Sequence, residues 1–273
     1  IGELQRSFNT MAENLEQLVA TATQKELLEK ELAIARDLQE SLVPHDLPSG
    51  EAIAFATVFE PSAAIGGDYF DVLRLSEDRL AVIVADVSGH GLPTGLRMAM
   101  LKAALTILVA EDKPVGEILD RLDQVARLDD DGRFFVTATL ALVDFANDRL
   151  ELTNAGHPPT YVVRGAGVRE VMLPGSPLGG LGRDWGHETL ALEAGDVVVW
   201  LSDGFIETLD ADDEPFGYHG VEGTLRSAAE DAAAAGRALT VDEVKARLVT
   251  AAAEHAGGRP AEDDRTLLVM RYR

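Results

Sequence analysis

The chain contains no cysteine and has few basic and few aromatic residues. Without cysteine it can form no disulfide, no thiolate zinc site and no cysteine nucleophile, and the composition is compatible with a reducing compartment. The 24 Lys and Arg residues stand against 47 Asp and Glu residues, which gives a formal net charge of −23. A protein this acidic is a poor binder of nucleic acid or of an anionic lipid surface, because both are polyanions.

Long apolar runs are missing as well. A membrane-spanning helix needs about 20 predominantly apolar residues, whereas the best candidate, residues 98–110, is shorter and contains Lys102. The sequence therefore predicts no membrane segment. The chain begins at Ile1 without a signal-peptide pattern, and we expect it to be a fragment of a longer protein. Its 273 residues, 46% of them hydrophobic, are enough to bury a sizeable core.

The first 43 residues form a segment of their own. Apolar residues recur at alternating steps of four and three from Leu4 to Ala22, which is the heptad spacing of a coiled coil. The seam resumes at Leu28 in a different phase, so we expect a discontinuity at residues 22–28. Pro44 then ends the helix. A helix packed on its own domain would also be amphipathic, but the narrow seam favours a dimeric coiled coil over residues 1–43, followed by a second domain at residues 44–273.

From residue 51 onward the apolar pattern has period two, which is typical of strands. We predict ten strands, at residues 53–60, 69–75, 80–86, 134–145, 149–153, 160–164, 168–173, 187–192, 197–202 and 265–272. Short turns at 76–78, 146–148, 165–167 and 194–196 favour antiparallel hairpins. Helical patterns fill residues 94–110, 115–128, 221–235 and 241–255, and Thr240 begins a capping box. The predicted fold class is α+β, a two-layer antiparallel β-sandwich flanked by helices.

Four aspartate sites, most of them beside glycines, abut the predicted strands. They are Gly66-Gly67-Asp68, Asp86-Val87-Ser88-Gly89-His90-Gly91, Ser202-Asp203-Gly204 and Asp263-Asp264. An aspartate at the end of a buried strand has a rigid support, and a neighbouring glycine lets an ion or another backbone approach closely. Asp-Gly pairs also form ordinary turns, which is the favoured interpretation of any one site taken alone. Four such sites at strand ends favour a common function.

If these aspartates converge, their charges need a counterion. Two carboxylates about 4 Å apart repel by roughly 4 kcal/mol at an effective dielectric constant near 20. Either some of them are protonated or a divalent cation lies among them. Oxygen ligands favour Mg²⁺ or Mn²⁺ over zinc, and two such ions would activate a water and hold a phosphoryl group. No Walker loop, Gly-x-Ser-x-Gly elbow or HExxH motif offers a competing chemistry.

The same motifs carry a resemblance to a known family. The matching segments, in order along the chain, are Ile65-Gly66-Gly67-Asp68-Tyr69-Phe70-Asp71, Asp86-Val87-Ser88-Gly89-His90-Gly91, Asn154-Ala155-Gly156-His157-Pro158-Pro159, Ser202-Asp203-Gly204 and Asp263-Asp264-Arg265-Thr266. Together they resemble the PPM metal-dependent serine/threonine phosphatases, and among these the bacterial RsbU/SpoIIE branch. The resemblance covers residues 45–273. Residues 36–44 are similar to the linker helix that often precedes this branch, and residues 1–15 resemble the last helix of a HAMP module.

The resemblance implies a centre that holds two Mn²⁺ or Mg²⁺ ions. Asp86 would bridge the ions, the Val87 carbonyl would bind one, and Asp203 and Asp263 would complete the other. Asp68 would be a further ligand, direct or through water. A metal-activated water, and no side chain, would be the nucleophile.

Some assignments stay open at the level of the sequence. Asp264 is the alternative to Asp263, because the doublet leaves the register open by one residue. The residues expected to border the site are Gly67, Gly89, His90 and Gly204. His90 lies four positions after Asp86, whereas the eukaryotic members have a histidine two positions after it, so no general-acid role is transferred. His90 and His157 are expected to be structural hydrogen-bonding residues.

The implied function is hydrolysis of phosphoserine or phosphothreonine on a protein, with regulation through the N-terminal helix. By analogy with the RsbU branch, the expected substrate is a phosphorylated STAS-domain anti-anti-sigma protein. We expect a homodimer joined by the coiled coil, in the cytoplasm or as the cytoplasmic part of a membrane-anchored receptor. The alternative is a non-catalytic binding or scaffold module, which the complete set of acidic residues disfavours.

Overall fold

The computed structural model describes residues 2–50, 52–62, 65–89, 91–111, 113–128 and 134–273. His90 lies outside the described residues, as do the side chains of the predicted seam residues Leu4, Phe8, Leu28, Leu32 and Ala35. The helices are α1 (Gly2–Leu42), α2 (Leu92–Ala110), α3 (Val115–Ala126), α4 (Asp203–Ile206), α5 (Gly217–Ala234) and α6 (Val241–Ala256). The strands are β1 (Ile53–Glu60), β2 (Asp68–Arg74), β3 (Arg79–Val87), β4 (Val136–Asp144), β5 (Arg149–Ala155), β6 (Thr160–Arg164), β7 (Gly167–Val171), β8 (His187–Ala191), β9 (Val197–Leu201) and β10 (Arg265–Tyr272).

The strands form two five-stranded antiparallel sheets, which confirms the predicted α+β sandwich. One sheet has the order β1-β10-β9-β6-β7 and the other has the order β2-β3-β4-β5-β8. Between the sheets, Leu268 and Met270 of β10 share a core with the buried residues of β3. On the opposite face of β10, Leu267 and Val269 pack against the apolar side of α5 and α6. Since strand side chains alternate between the two faces, one strand serves both cores.

Three of the four predicted hairpins are confirmed, and one prediction is wrong. The turns at 76–78, 146–148 and 165–167 each join two paired antiparallel strands. The turn at 194–196 instead carries the chain from β8 in one sheet to β9 in the other. Asp196, which is buried, holds this crossing: its carboxylate accepts hydrogen bonds from the Glu193 amide at 2.8 Å and from the Arg164 guanidinium at 2.7 and 2.8 Å.

Apart from the four-residue α4, which was not predicted, the described helices form where the periodicity predicts them. α1 ends at Leu42, two residues before Pro44, as expected from proline's missing amide donor. The Thr240 hydroxyl accepts a hydrogen bond from the Glu243 amide at 3.2 Å and caps α6. Among the described helices, α2 has the length and composition that could cross a membrane. Its buried residues, however, belong to the core between α2 and the β2-β3 sheet.

Candidate metal centre

Asp68 and Asp86 are directly paired across β2 and β3, so their side chains lie on the same face of the sheet. Asp68 is 1% exposed, and its Oδ2 has no hydrogen-bond partner among the described atoms. Burial raises the pKa of Asp68 well above its ordinary value, and the Ser202 and Thr266 hydroxyls oppose that shift. A buried carboxyl oxygen without a partner costs free energy. The position therefore suits a ligand that would occupy this oxygen.

Asp86 lies in the combined field of several other acids. Burial raises the pKa of Asp86, and the charges of Asp203, Asp263, Asp264 and Glu207 add to the shift in that order, so that together they bring the pKa to about 7. Such a shift arises when like charges gather at a site without a counterion. A cation placed among these groups would remove the repulsion.

Asp203 belongs to the same group of charges. It is the first residue of α4, directly after the buried strand β9. Burial raises the pKa of Asp203, the charges of Asp263 and Glu207 add to the shift and the backbone amides of Asp203 and Gly204 oppose it, so that the resulting pKa is about 6. We call Asp68, Asp86, Asp203 and Asp263 the carboxylate cluster. The structure thus brings together the four aspartates that the sequence predicts.

Gly67 lets the loop before β2 pass close to the predicted ligands on β3. Its amide oxygen accepts a 3.0 Å hydrogen bond from the Val87 amide. A Cβ atom at Gly67 would lie 2.4 Å from the Val87 carbonyl oxygen and 2.6 Å from Oδ1 of Asp86. Both oxygens therefore point to the space that a side chain would fill. Only glycine leaves that space open.

The Asp263-Asp264 doublet divides into two environments. Asp264 is 5% exposed, and its Oδ1 accepts hydrogen bonds from the Ser62 amide at 2.6 Å and the Ser62 hydroxyl at 3.0 Å. Its Oδ2 accepts from the Gly67 amide at 2.6 Å. Asp263 is exposed, and its charge acts on both Asp86 and Asp203. This arrangement favours Asp263 as the ligand and gives Asp264 the role of holding the loop before β2.

Of the other predicted border residues, the structure describes Gly204 and Gly89 but not His90. Gly204 packs so closely that a Cβ atom there would lie 2.0 Å from the Asp264 carbonyl oxygen. Gly89 has a φ of +98°, which favours glycine. His157 is buried, its Nδ1 lies 2.9 Å from the Thr137 hydroxyl, and burial lowers its pKa to about 3. A neutral, hydrogen-bonded imidazole agrees with the structural role expected for His157.

Two residues near the cluster were not predicted. Glu207 lies four residues after Asp203, one helical turn away, and its charge acts on Asp203 and Asp86. Gln39 of α1 is 2% exposed; its Nε2 donates to the Gly66 carbonyl at 2.9 Å, and its Oε1 accepts from the Gly66 amide at 3.0 Å. Gln39 occupies an apolar seam position, which is the signal in the sequence that could have found it.

The donor set fits a divalent cation because it consists of oxygen atoms, one of them buried without a partner. Within the described ranges, no three His, Asp or Glu side chains already have the spacing of a formed metal site. The carboxylates would have to draw together around an ion.

The chain is similar in sequence to a known family and to curated proteins. Residues 76–273 match the family model described as Stage II sporulation protein E (SpoIIE). The phosphoserine phosphatase RsbU of Bacillus subtilis is 27% identical over 184 residues, which are 66% of this chain and 54% of RsbU. Protein IcfG of Synechocystis is 23% identical over 82% of this chain and 40% of its own length. The chain thus spans about half or less of these curated relatives.

Solved structures show the same fold. The SiaA-PP2C domain of Pseudomonas aeruginosa superposes with a TM-score of 0.74 at 23% identity, covering 92% of this chain and 99% of that domain. The catalytic domain of the serine/threonine phosphatase PstP, described in complex with two manganese ions, has a TM-score of 0.53 at 18% identity, covering 81% of this chain and 98% of PstP's. The fold of this chain is therefore that of PP2C-type phosphatase domains.

Proposed function

The chain belongs to the SpoIIE family, and from this membership we propose that it is a metal-dependent phosphatase that hydrolyses phosphoserine or phosphothreonine on a protein. The observation that carries the proposal is the carboxylate cluster, in which Asp68 and Asp86 face each other and Asp203 and Asp263 add their charges. RsbU, which is similar in sequence, is named as a phosphoserine phosphatase. The family and the cluster point to the same chemistry.

In the proposed centre, oxygen ligands at the ends of four strands, β2, β3, β9 and β10, would hold two Mn²⁺ or Mg²⁺ ions. They are the carboxylates of Asp68, Asp86, Asp203 and Asp263 and the carbonyl of Val87. When bound, the ions would supply the positive charge that attracts a phosphoryl group and lowers the pKa of a water molecule. PstP, described with two manganese ions, has the same fold.

The residues around the ligands would keep them in place. Asp264 holds the Ser62 and Gly67 amides, so the loop before β2 is attached to the start of β10. His157 is neutral and hydrogen-bonded to Thr137 between the sheets, and it neither gains nor loses a proton near neutral pH. The reaction would therefore be carried by the carboxylate cluster and its ions, with no side chain as nucleophile.

The substrate is proposed to be a phosphorylated STAS-domain anti-anti-sigma protein. The support is analogy with the RsbU branch, to which the sequence motifs and the similarity to RsbU both point. A net charge of −23 disfavours nucleic acid as a partner. The proposed location is the cytoplasm, in a free protein or in the cytoplasmic part of a membrane-anchored receptor.

Residues 1–43 are proposed to be a HAMP end and linker that regulates the phosphatase domain, residues 44–273. The seam residues Met11, Leu15 and Leu18 are 56%, 55% and 66% exposed, which leaves them available to a second copy of α1. Near the C-terminal end of α1, the Gln39 side chain forms hydrogen bonds with both the carbonyl and the amide of Gly66, the residue before Gly67. A rotation or shift of α1 in a dimeric coiled coil would therefore act directly on the loop that carries Asp68.

The proposed activity is tested by phosphate release from a phosphoserine peptide with and without Mn²⁺. The wild type should release phosphate only with the metal. Asp203→Asn should lower the rate by roughly 100-fold or more, because a metal centre contributes several kcal/mol to stabilising the transition state. Asp212→Asn, which changes an exposed carboxylate outside the cluster, is the matched control. Equal rates for the wild type and Asp203→Asn would instead support the non-catalytic binding module.

A further inference from the structure

A cavity of about 530 Å³ adjoins the carboxylate cluster. Its lining includes residues 207–209 and Pro215, together with Ala256 and residues 259–263. Gly204 and Arg265 complete the lining. Because Gly204 follows Asp203, and Asp263 is itself a lining residue, the cavity lies next to the proposed ligands. A volume of this size can hold one or two side chains of a bound protein.

Arg265 is the residue of this lining whose guanidinium has a donor without a hydrogen-bond partner among the described residues. Its Nη2 donates to the Thr208 hydroxyl at 2.9 Å, whereas its Nε is buried and has no hydrogen-bond partner in the described part of the chain. Arg259, in the same lining, already pairs with Asp213 at 2.8 Å and Glu262 at 3.8 Å. No described carboxylate forms an ion pair with Arg265. Because Arg265 lines the cavity and none of the described carboxylates neutralises its charge, it is suited to receive an anion that enters the cavity from outside the chain.

We propose that this cavity binds an acidic side chain of the phosphoprotein substrate, close in sequence to the phosphorylated residue, and that Arg265 pairs with its carboxylate. The proposal rests on the proposed phosphatase function and adds a determinant of substrate choice to it. A guanidinium offers two parallel N–H donors to a carboxylate, and this geometry gives strength and specificity.

The acidic residues of the lining do not cancel this preference. Asp263 would face the metal ions, and Glu262 lies near Arg259. Glu207 acts electrostatically on Asp203 and Asp86. Arg265 is therefore the cation of the lining whose charge is not already paired within the described residues.

The test compares three probes on the Mn²⁺-loaded full chain: p-nitrophenyl phosphate, a phosphoserine peptide flanked by aspartates, and the same peptide flanked by asparagines. The wild type should favour the acidic peptide in kcat/KM by roughly 10-fold, the effect of one charge-assisted hydrogen-bonded pair. Arg265→Gln should abolish that preference and leave the other two probes unchanged. Arg265→Lys should keep part of it.

Arg271→Gln is the matched control. Arg271 lies on the same strand and the same face as Arg265 but at the opposite end of β10. Its Nε is also buried, with no hydrogen-bond partner among the residues that the structure describes. This variant should keep the full preference for the acidic peptide. Activity on p-nitrophenyl phosphate reports in each variant that the fold and the metal centre are intact.

The outcomes separate this inference from the function on which it rests. No preference in the wild type, or an equal loss on all three probes in Arg265→Gln, would overturn the assignment while leaving the phosphatase activity established. No phosphate release from any probe by the wild type would contradict the proposed function, and the inference would fall with it. Loss of the acidic preference in Arg265→Gln alone would support it.

Discussion

The Gly67 amide donates a 2.6 Å hydrogen bond to Oδ2 of Asp264, and this contact joins the loop before β2 to the start of β10. The other carboxylate oxygen of Asp264 is occupied by Ser62. Asp264 is thus fully engaged as an acceptor, whereas the neighbouring Asp263 is exposed beside the cluster. Two adjacent aspartates have different tasks, and substitution of each should have a different effect.

Asp264→Asn should destabilise the fold, and Asp263→Asn should not. An asparagine at 264 would place an N–H₂ group against amide donors, and the unsatisfied contacts should cost about 1–3 kcal/mol in free energy of unfolding. Asp263→Asn removes a repelled, exposed charge, so the metal-free protein should keep its stability while Mn²⁺ affinity falls. Urea denaturation and Mn²⁺ titration of both variants check this. The reverse pattern would make Asp264 the ligand.

The metal-free protein should show a pH-dependent stability to which Asp86 contributes. Its pKa is about 7 in the folded chain, above the ordinary value of 3.8, so between these values the folded state binds more protons than the unfolded state. The contribution of Asp86 to the free energy of unfolding therefore falls as pH rises towards 7. Asp86→Asn should gain in stability relative to the wild type between pH 5 and 8, by roughly 2–8 °C in Tm.

The comparison with Asp86→Asn is needed because His157 acts in the opposite direction. Burial lowers its pKa to about 3, so its contribution to stability is lost as pH falls below its ordinary value of 6.5. The His157 effect is common to both proteins and cancels in the difference. A Tm difference between wild type and Asp86→Asn that does not change with pH would contradict the assignment of Asp86 to a repelling cluster.

Gly67→Ala should weaken metal binding. The new Cβ would lie 2.4 Å from the Val87 carbonyl oxygen and 2.6 Å from Oδ1 of Asp86, so these ligand atoms have to move. We expect Mn²⁺ affinity to fall by roughly 10-fold or more, the loss seen when ligand geometry is disturbed. Gly116→Ala in α3, where nothing lies within 4 Å of the added Cβ, is the control and should bind as the wild type does.

Gln39→Leu should remove the hydrogen bonds that join α1 to the loop before β2. The substitution keeps a good helix former and removes both hydrogen bonds to Gly66. If α1 regulates through this contact, inserting three or four residues at positions 22–28 should change the activity of the wild type, since the helix rotates with each added residue. The same insertions should have no further effect in Gln39→Leu. A seven-residue insertion, which restores the heptad phase, is the control.

Two results of the insertion experiment would contradict regulation through α1 and Gln39. Insertions of every length that leave Mn²⁺-dependent phosphate release unchanged would show that the phase of α1 does not reach the site. Insertion effects of equal size in the wild type and in Gln39→Leu would show that the signal takes another route, such as the packing of α1 against α2.

Most of the fold could be predicted from the sequence because burial imposes simple periods. All ten strands were predicted, because strand residues alternate between apolar and polar or form short apolar runs. For β1, β6 and β10 the predicted bounds are also the observed ones. The passage of the chain from β8 in one sheet to β9 in the other could not be predicted, because a short turn has the same sequence pattern whether it joins paired strands or strands of different sheets. α4 has four residues, too few for a helical period.

The site was predictable to the level of residue types and less so in its contacts. Asp68, Asp86 and Asp203 stand out as aspartates at strand ends beside glycines. The choice between Asp263 and Asp264 depends on which side chain turns towards the Gly67 amide, and no spacing rule decides that. Gln39 contacts Gly66, which is distant in the sequence, and Glu207 acts on Asp203 from one helical turn away. Gln39 in particular is visible in the sequence only as a polar residue on an apolar seam.

The most direct test of the two-cation centre is calorimetric titration of the whole metal-free chain with Mn²⁺. We predict that the wild type binds two ions per chain and that Asp86→Asn, which removes the proposed bridging carboxylate, loses at least one of them. Binding of no Mn²⁺ by the wild type, or the same number of ions with the same affinity in Asp86→Asn, would contradict the account.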